Sequence, residues 1–177
     1  RLPGVVCVAE PNQQALLAAT QGLFDQTLSD FVAMRQREGQ ALQQFIGQRL
    51  DLIAVECEKV RERMPHILAH YRQRLLARLQ DIKAELDNDR LEQEMVLFAH
   101  KIDVAEELDR LTAHLVEIKR VLQQGGAVGR KLDFLMQELN REANTLGSKS
   151  VSADSSLSSV ELKVLIEQMR EQIQNLE

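Results

Sequence analysis

Hydrophobic side chains recur every three or four residues through the middle of this 177-residue sequence. Between Leu42 and Leu86, the mean step is about 3.7 residues, close to the period of a straight α-helix (about 3.6) and longer than that of a coiled coil (about 3.5). The pattern predicts one very long helix, kinked or broken at Pro65. Such a long apolar stripe has to be covered, either by the following helices or by another subunit.

The composition points to the same fold class. Aromatic residues make up only 3% of the chain, there is no Trp, and all three prolines fall within the first 65 residues. These features favour helices and leave β-sandwiches, TIM barrels and Rossmann sheets as poor fits. We therefore expect an all-α protein whose long antiparallel helices form an elongated hairpin or bundle and assemble into an oligomer.

The predicted organisation has four parts. Residues 1–11 form an extended lead-in, and residues 12–147 form a helical domain containing the long hairpin, with its turn at Asp87–Asp89. Seven serines between Ser148 and Ser159 predict a loop. Residues 160–177 then form a C-terminal helix of the same domain.

Charge and cysteine content limit the partners and the compartment. With a net charge of −5, the chain has no global field for polyanions, so any nucleic-acid contact must come from a local basic face. Two isolated cysteines, no signal peptide and no apolar run of about 18 residues favour a cytoplasmic protein that does not cross a membrane. The absence of an initiator Met suggests the middle of a longer gene product.

Charges are segregated along the chain. Residues 59–83 carry a net charge of +5 and residues 84–107 a net charge of −6. Helical spacing places five basic side chains on one face: Arg63, His66, His70, Arg74 and Arg78. This face either contacts phosphates or is a solvated surface neutralised by its acidic neighbour, and the sequence favours the second interpretation. His66 and His70 can also share a metal, but only Glu62 offers a third ligand.

A second stripe combines acids with a histidine. It consists of Asp103, Glu107, Arg110, His114 and Glu117 at steps of four and three. Two carboxylates with one histidine suit Mg²⁺ or Mn²⁺. The alternative is structural: a capping box from Asp103 to Glu106, a Glu107–Arg110 ion pair and an interface histidine.

The segment from Gly129 to Lys149 is dense in polar side chains on one side of a predicted helix. These side chains are Arg130, Asp133, Gln137, Asn140, Arg141 and Asn144. Arg, Asn and Gln together suit contacts with phosphates, base edges or 2′-hydroxyls. They equally suit a polar interface between subunits, so both interpretations stay open.

Several motifs resemble the YicC/YloC family over essentially the whole chain. They are Leu2–Val5, Asn88–Glu94, Ile102–Leu111 with His114, Gly129–Phe134, Gln137–Glu142, Asn144–Thr145, Ser148–Ser150 and the tail from Val160. The family is bacterial and cytoplasmic, and its members are described as oligomeric, divalent-metal-dependent endoribonucleases of RNA turnover. Full-length members carry an N-terminal domain before the Leu-Pro-Gly motif, which the resemblance implies this chain lacks.

With the family's pattern placed on these positions, we predict roles for individual residues. Asp103, Glu107 and His114 would hold Mg²⁺ or Mn²⁺, and Glu107, His114 and Arg130 would be catalytic in hydrolysis by a metal-activated water. RNA would be bound by Arg130, Lys131, Gln137, Asn140, Arg141, Asn144 and Lys149. The alternative is a non-catalytic helical module for oligomerisation and RNA binding.

Overall fold

A computed structural model describes Gly4 and residues 12–81 and 88–174. In this part of the chain the fold is all-α, as predicted, with no β-strand. Five helices follow one another: α1 (Gln13–Asp81), α2 (Asn88–Ile102), α3 (Ala105–Gln124), α4 (Gly129–Lys149) and α5 (Ala153–Gln174). None of these helices combines the length and apolar character that a bilayer span requires.

Some predictions fall outside the described residues. These are the lead-in apart from Gly4, the end of the apolar stripe from Ile82 to Leu86, and Asp87 in the predicted turn. Pro65 lies within α1, so the helix is not broken there. Pro65 is exposed, and water can therefore satisfy the backbone carbonyl that a helical proline leaves without a donor.

The chain divides into two compact units, residues 1–42 and residues 43–177. This differs from the predicted single domain that begins at residue 12. The described helical part of the first unit, residues 13–42, has no buried residue. Apart from the half-buried Leu42 at its end, its large apolar side chains are at least 42% exposed: Leu16, Leu17, Leu23, Phe24, Leu28, Phe31, Val32 and Met34. Burial of apolar surface is the main favourable term in folding, so these residues contribute little to the stability of the unit as described.

The second unit has a core to which all five helices contribute. Its largest fully buried side chains include Ile46, Leu50, Ile53, Ile102, Leu108, Leu111, Ile118, Leu132, Met136, Leu139, Leu146 and Leu162. Each such side chain stabilises the fold by about 1.5–3 kcal/mol relative to an exposed position. In α1 the predicted stripe is buried from Ile46 to Val60 but only half-buried from Met64 onwards.

The predicted serine-rich loop at Ser148–Ser159 is wrong. Helix α4 continues to Lys149, and α5 begins at Ala153. The Ser152 hydroxyl accepts a hydrogen bond from the Ser155 backbone N–H at 3.1 Å, which is the bonding pattern of a helix N-cap. Three serines that suggested a loop by composition are instead buried in the first turns of α5: Ser155, Ser158 and Ser159.

Small side chains let α4 and α5 approach each other closely. A Cβ atom added at Gly147 would lie 2.5 Å from Ser159 Oγ and 3.5 Å from Ser159 Cβ. The Ser159 hydroxyl donates a hydrogen bond to the Ala143 carbonyl at 3.2 Å. At this crossing, Gly147 is therefore required for lack of space and not for an unusual backbone angle.

We expect Gly147→Ala to destabilise the protein by about 1 kcal/mol, because an overpacking cost of about 1–3 kcal/mol exceeds the gain in helix propensity of up to about 1 kcal/mol. In a Ser159→Ala background the obstructing hydroxyl is gone, so the same change should be neutral or stabilising. Urea denaturation of the four proteins in this cycle measures the coupling. An equal effect of Gly147→Ala in both backgrounds would contradict the steric explanation.

Candidate functional site

Helices α3 and α4, with Asp103 just before α3, carry the residues predicted to be catalytic or to bind metal or RNA. Three ion pairs join them: Glu107 with Lys149 at 2.8 Å, Arg110 with Glu142 at 3.4 Å, and Glu117 with Lys131 at 2.8 Å. The partners on α4 come earlier in sequence as those on α3 come later, so the two helices run in opposite directions. The predicted site is consequently spread along both helices.

The Glu107 cluster consists of Asp103, Glu107 and Lys149. The ammonium of Lys149 donates to Glu107 Oε1 and to the Asp103 backbone carbonyl, both at 2.8 Å. The side chain of Asp103 accepts a hydrogen bond from the Ala105 backbone N–H at the start of α3. Glu107 is only 7% exposed, and its second oxygen, Oε2, is buried without a hydrogen-bond partner among the described residues.

The pairing of Arg110 corrects one structural alternative. A Glu107–Arg110 ion pair was predicted, but Arg110 pairs with Glu106 and with Glu142 on α4. Its hydrogen bond to Glu142, together with the charge of Glu106, raises the pKa of Arg110. Glu142 is 3% exposed and was missed, although a signal was present. It stands three residues after Leu139 on the apolar face of α4, where an acid needs a partner.

The His114 cluster lies two turns further along α3 and consists of His114, Glu117, Arg120 and Lys131. The Nε and Nη2 atoms of Arg120 each donate a hydrogen bond to the Glu117 carboxylate at 2.7 Å. Lys131 forms an ion pair with the same carboxylate. The hydrogen bond from Arg120, followed by that from Lys131, lowers the pKa of Glu117 to about 2. Glu117 therefore stays ionised and links α3 to the first turn of α4 at a point one helical turn after His114.

The three predicted metal ligands are not brought together. Among the described residues, no three His, Cys, Asp or Glu side chains form a group that could hold a metal ion. Glu107 and His114 are seven residues apart on α3, which corresponds to about 10 Å along the helix axis, whereas ligand bonds to Mg²⁺ are only about 2 Å long. The residues present therefore do not fit a metal ion held by this chain alone.

Several of the predicted RNA-binding residues on α4 already have partners within the protein. Gln137 bonds to Asp133 at 2.9 Å, and Asn144 bonds to Asn140 at 3.3 Å, both one turn apart on the same helix. Arg141 lies 3.9 Å from Glu138, and Asp133 also faces Arg170 of α5 at 3.8 Å.

Some of the basic residues on α4 are paired with acids, and one is not. Lys131 and Lys149 are neutralised by Glu117 and Glu107. Arg130 is exposed at the first turn of α4, and no hydrogen bond or ion pair joins it to the rest of the described chain. Of the three cations Arg130, Lys131 and Lys149, Arg130 is therefore the one whose charge is uncompensated.

Comparison with known proteins identifies the family. The family model Endoribonuclease YicC-like, C-terminal, matches residues 60–177. The chain belongs to this family. The match includes both clusters and the polar face of α4, so the resemblance recognised from the sequence motifs is confirmed for the part of the chain that carries them.

Two curated relatives align with the whole chain. The protein named Probable endoribonuclease YicC from Haemophilus influenzae is 61% identical over 180 residues, and the protein of the same name from Clostridioides difficile strain 630 is 32% identical over 182 residues. In each case the alignment covers 100% of this chain and 62% of the relative. The chain therefore spans less than two thirds of the length of these relatives.

We expect Lys149→Met to lower the free energy of unfolding by about 1–3 kcal/mol, because it leaves the buried Glu107 carboxylate without its charged partner. Combining Lys149→Met with Glu107→Gln removes both charges and should recover much of that loss. Thermal or urea denaturation of the single and double variants measures both effects. If Lys149→Met leaves stability unchanged and weakens only RNA binding, the pair has no structural role and Lys149 acts as an RNA contact.

Proposed function

We propose that this chain contributes RNA-binding and catalytic residues to an endoribonuclease that cleaves internal phosphodiester bonds. The family match over residues 60–177 carries the proposal, and the names of the two relatives support it. Charge distribution adds a physical argument. An uncompensated arginine lies in the first turn of α4, and a histidine lies at the middle of α3, one turn before the Glu117 that pairs with Lys131. Such groups can hold an RNA phosphate and transfer a proton.

His114 is the proposed proton-transfer residue. Its side chain is half-buried on α3, and it has no hydrogen-bond partner among the described residues, so neither ring nitrogen is committed to a structural contact. Arg130 is the proposed phosphate ligand, because a guanidinium can contact two phosphate oxygens at once. Lys131 would join it only if Glu117 releases its ammonium.

Glu107 is the proposed third catalytic residue, and Asp103 is its neighbour. A requirement for Mg²⁺ or Mn²⁺ is part of the proposal, although the three predicted ligands do not form a site, and we assign no step of the reaction to the ion. The further residues proposed to contact RNA are Gln137, Asn140, Arg141, Asn144 and Lys149.

One observation favours a second candidate, a non-catalytic helical module that binds RNA and oligomerises. Lys149 neutralises Glu107, and Asp103 uses its side chain at the start of α3. Two of the proposed catalytic or metal-binding acids thus have structural contacts that would be needed even if no reaction took place there.

We expect His114→Gln to reduce RNA cleavage by about a hundredfold or more, the usual contribution of a general acid or base, with no change in melting temperature. His100→Gln changes an exposed histidine on α2 and serves as the matched control. Cleavage of end-labelled single-stranded RNA, measured with and without chelator, also tests the need for a divalent ion.

The remaining outcomes separate the two candidates. Products with a 3′-hydroxyl and 5′-phosphate support attack by water, whereas a 2′,3′-cyclic phosphate supports attack by the 2′-hydroxyl. Full cleavage by the combined Asp103→Asn and Glu107→Gln variant would remove both acids from the reaction. An absence of cleavage by the unmodified chain, under conditions in which it binds RNA, would favour the non-catalytic module.

We also propose that this chain forms a homo-oligomer through the exposed apolar side chains of residues 13–42. Leu17, Phe24, Leu28 and Phe31 follow one another at steps of seven, four and three residues. A second copy of the same helix would cover them, since steps of this kind place side chains on one helical seam.

In addition, we propose an antiparallel hairpin of α1 with later helices, supported by the pairs Asp51–Lys119, Arg61–Asp109 and Arg72–Glu92.

The oligomer is tested by light scattering at micromolar concentration. We expect a mass that is a multiple of 20.1 kDa, and Phe24→Ser combined with Phe31→Ser should shift it towards the monomer. Leu97→Ser is the control, because Leu97 is equally exposed but lies on α2. A 20.1 kDa particle for the unmodified chain would contradict the proposal.

A further inference from the structure

A groove in residues 43–177 combines basic and aromatic side chains that have no role in the proposed cleavage. It encloses a cavity of about 390 Å³ between α1, α2 and the start of α5, which lies within the usual range of ligand-binding pockets. One wall is a row from α1: Arg63, His66, His70 and Arg74, spaced by three, four and four residues.

The ion pairs of α1 show which part of its basic surface is neutralised. Arg61 pairs with Asp109 at 2.9 Å, and Arg72 pairs with Glu92 at 3.0 Å. Both of these arginines belong to the basic region, but neither lines the groove. Acidic neighbours therefore neutralise the basic residues on one side of α1, as expected. They do not neutralise those on the side that faces the groove.

The basic side chains that line the groove lack acidic partners. Among the side chains described in residues 12–80 and 88–174, no carboxylate lies within ion-pair distance of the row formed by Arg63, His66, His70 and Arg74. Arg63 donates a hydrogen bond to the Ser158 hydroxyl at 3.1 Å, which anchors one nitrogen of its guanidinium and leaves the charge uncompensated. Two arginines with two histidines between them form a basic row along one helix, and such a row is suited to a chain of phosphates.

An aromatic pair lines the same groove. The rings of Tyr71 and Phe98 stack with centroids 3.6 Å apart and an angle of 8° between their planes. The Tyr71 hydroxyl donates to Glu94 at 3.1 Å, which fixes the ring. Aromatic surface beside cations is the combination that binds single-stranded nucleic acid, in which bases contact rings and phosphates contact basic groups.

The start of α5 completes the groove with Ser152 and Asp154. The first turn of this 22-residue helix places its partially positive N-terminus at the groove. Asp154 is the one acid among the described residues lining the groove. It suits a helix N-terminus, but it would repel a bound phosphate, and this conflict makes it a useful probe.

We propose that the groove binds single-stranded RNA, with phosphates along the basic row from α1 and a base against the Tyr71–Phe98 pair. The identity of the ligand rests on the proposed endoribonuclease function. The groove itself uses residues separate from those proposed for cleavage, so binding here can be tested independently of the reaction.

Fluorescence anisotropy measures the binding of the 177-residue chain to a labelled, 2′-O-methylated single strand of about twelve nucleotides in the presence of chelator, since this RNA resists cleavage. The length lies within the usual site sizes of single-strand binding proteins. Combining His70→Gln with Arg74→Gln should weaken binding about tenfold. It should also reduce the slope of log affinity against log salt by about 0.7 for each phosphate that the protein no longer neutralises. Phe98→Leu should weaken binding about fivefold or more with an unchanged salt slope.

Two further variants distinguish a weakened RNA interaction from misfolding. Asp154→Asn removes the repelling charge and leaves the Ser152 cap of α5 in place, so it should strengthen binding about twofold to fivefold, which misfolding would not do. Arg72→Gln removes a positive charge near the groove row that is already paired with Glu92, so its affinity and salt slope should match the unmodified chain. Circular dichroism melting of each variant verifies folding.

Several results would overturn the groove as the RNA site. These are unchanged affinity and salt slope in the His70 and Arg74 variant, no gain from Asp154→Asn, or equal binding of double-stranded RNA of the same sequence. If those results accompany normal cleavage by the unmodified chain, the groove proposal fails and the proposed function stands. If the groove variants weaken binding as expected but the unmodified chain does not cleave RNA, the groove proposal stands and the proposed function fails.

Discussion

The close contact between α4 and α5 sets the arrangement on which the rest of residues 43–177 depends. Gly147 leaves no room for a Cβ against Ser159, and the apolar faces of both helices are buried on either side of this point. The apolar face of α4 is buried against α5 and α3. Apart from Glu142, the polar residues of α4 therefore face solvent on the opposite side of the helix. The same packing places the start of α5 beside α1, where it forms one end of the basic groove.

Buried carboxylates impose a second constraint. Glu107 and Glu142 are both almost fully buried, and an unpaired charge at such a position costs several kcal/mol. Lys149 and Arg110 offset this cost from across the α3–α4 interface. Because of these pairings, some basic residues of the unit stabilise the fold and others are left available to bind an anion. Counting charges along the sequence does not distinguish the two groups.

Much of the fold followed from the sequence, because period and composition act locally. The spacing of apolar residues in α1 and the scarcity of aromatics were sufficient to predict an all-α chain. The serine-rich segment was misassigned because serine disfavours helix interiors in general, whereas here Ser152 caps α5 and Ser159 is needed for its small size. Close approach between two helices is a property of tertiary packing, so composition alone could not predict it.

The site was less predictable, because its ion pairs join residues far apart in sequence. Lys149 and Glu107 are separated by 42 positions, so the sequence presented them as an RNA contact and a metal ligand rather than as partners. The metal hypothesis treated residues on one helix face as neighbours, although a rise of about 1.5 Å per residue separates Glu107 from His114 too widely for one ion. Similarly, the sequence grouped Arg63 and Arg74 with Arg78, but could not show that Arg61 and Arg72 would take the available acids.

A net charge of −5 gives local pairing particular weight. Long-range attraction of RNA to this chain is weak, and beyond about 8–10 Å in physiological salt it is largely screened. Binding must therefore come from a few cations at contact distance, and only those without a carboxylate partner gain a full interaction with phosphate. Arg130 and the groove row of α1 meet this condition, whereas Lys131 and Lys149 would first have to break an existing ion pair. RNA recognition by this chain accordingly depends more on which basic residues are left without an acidic partner than on how many basic residues it contains.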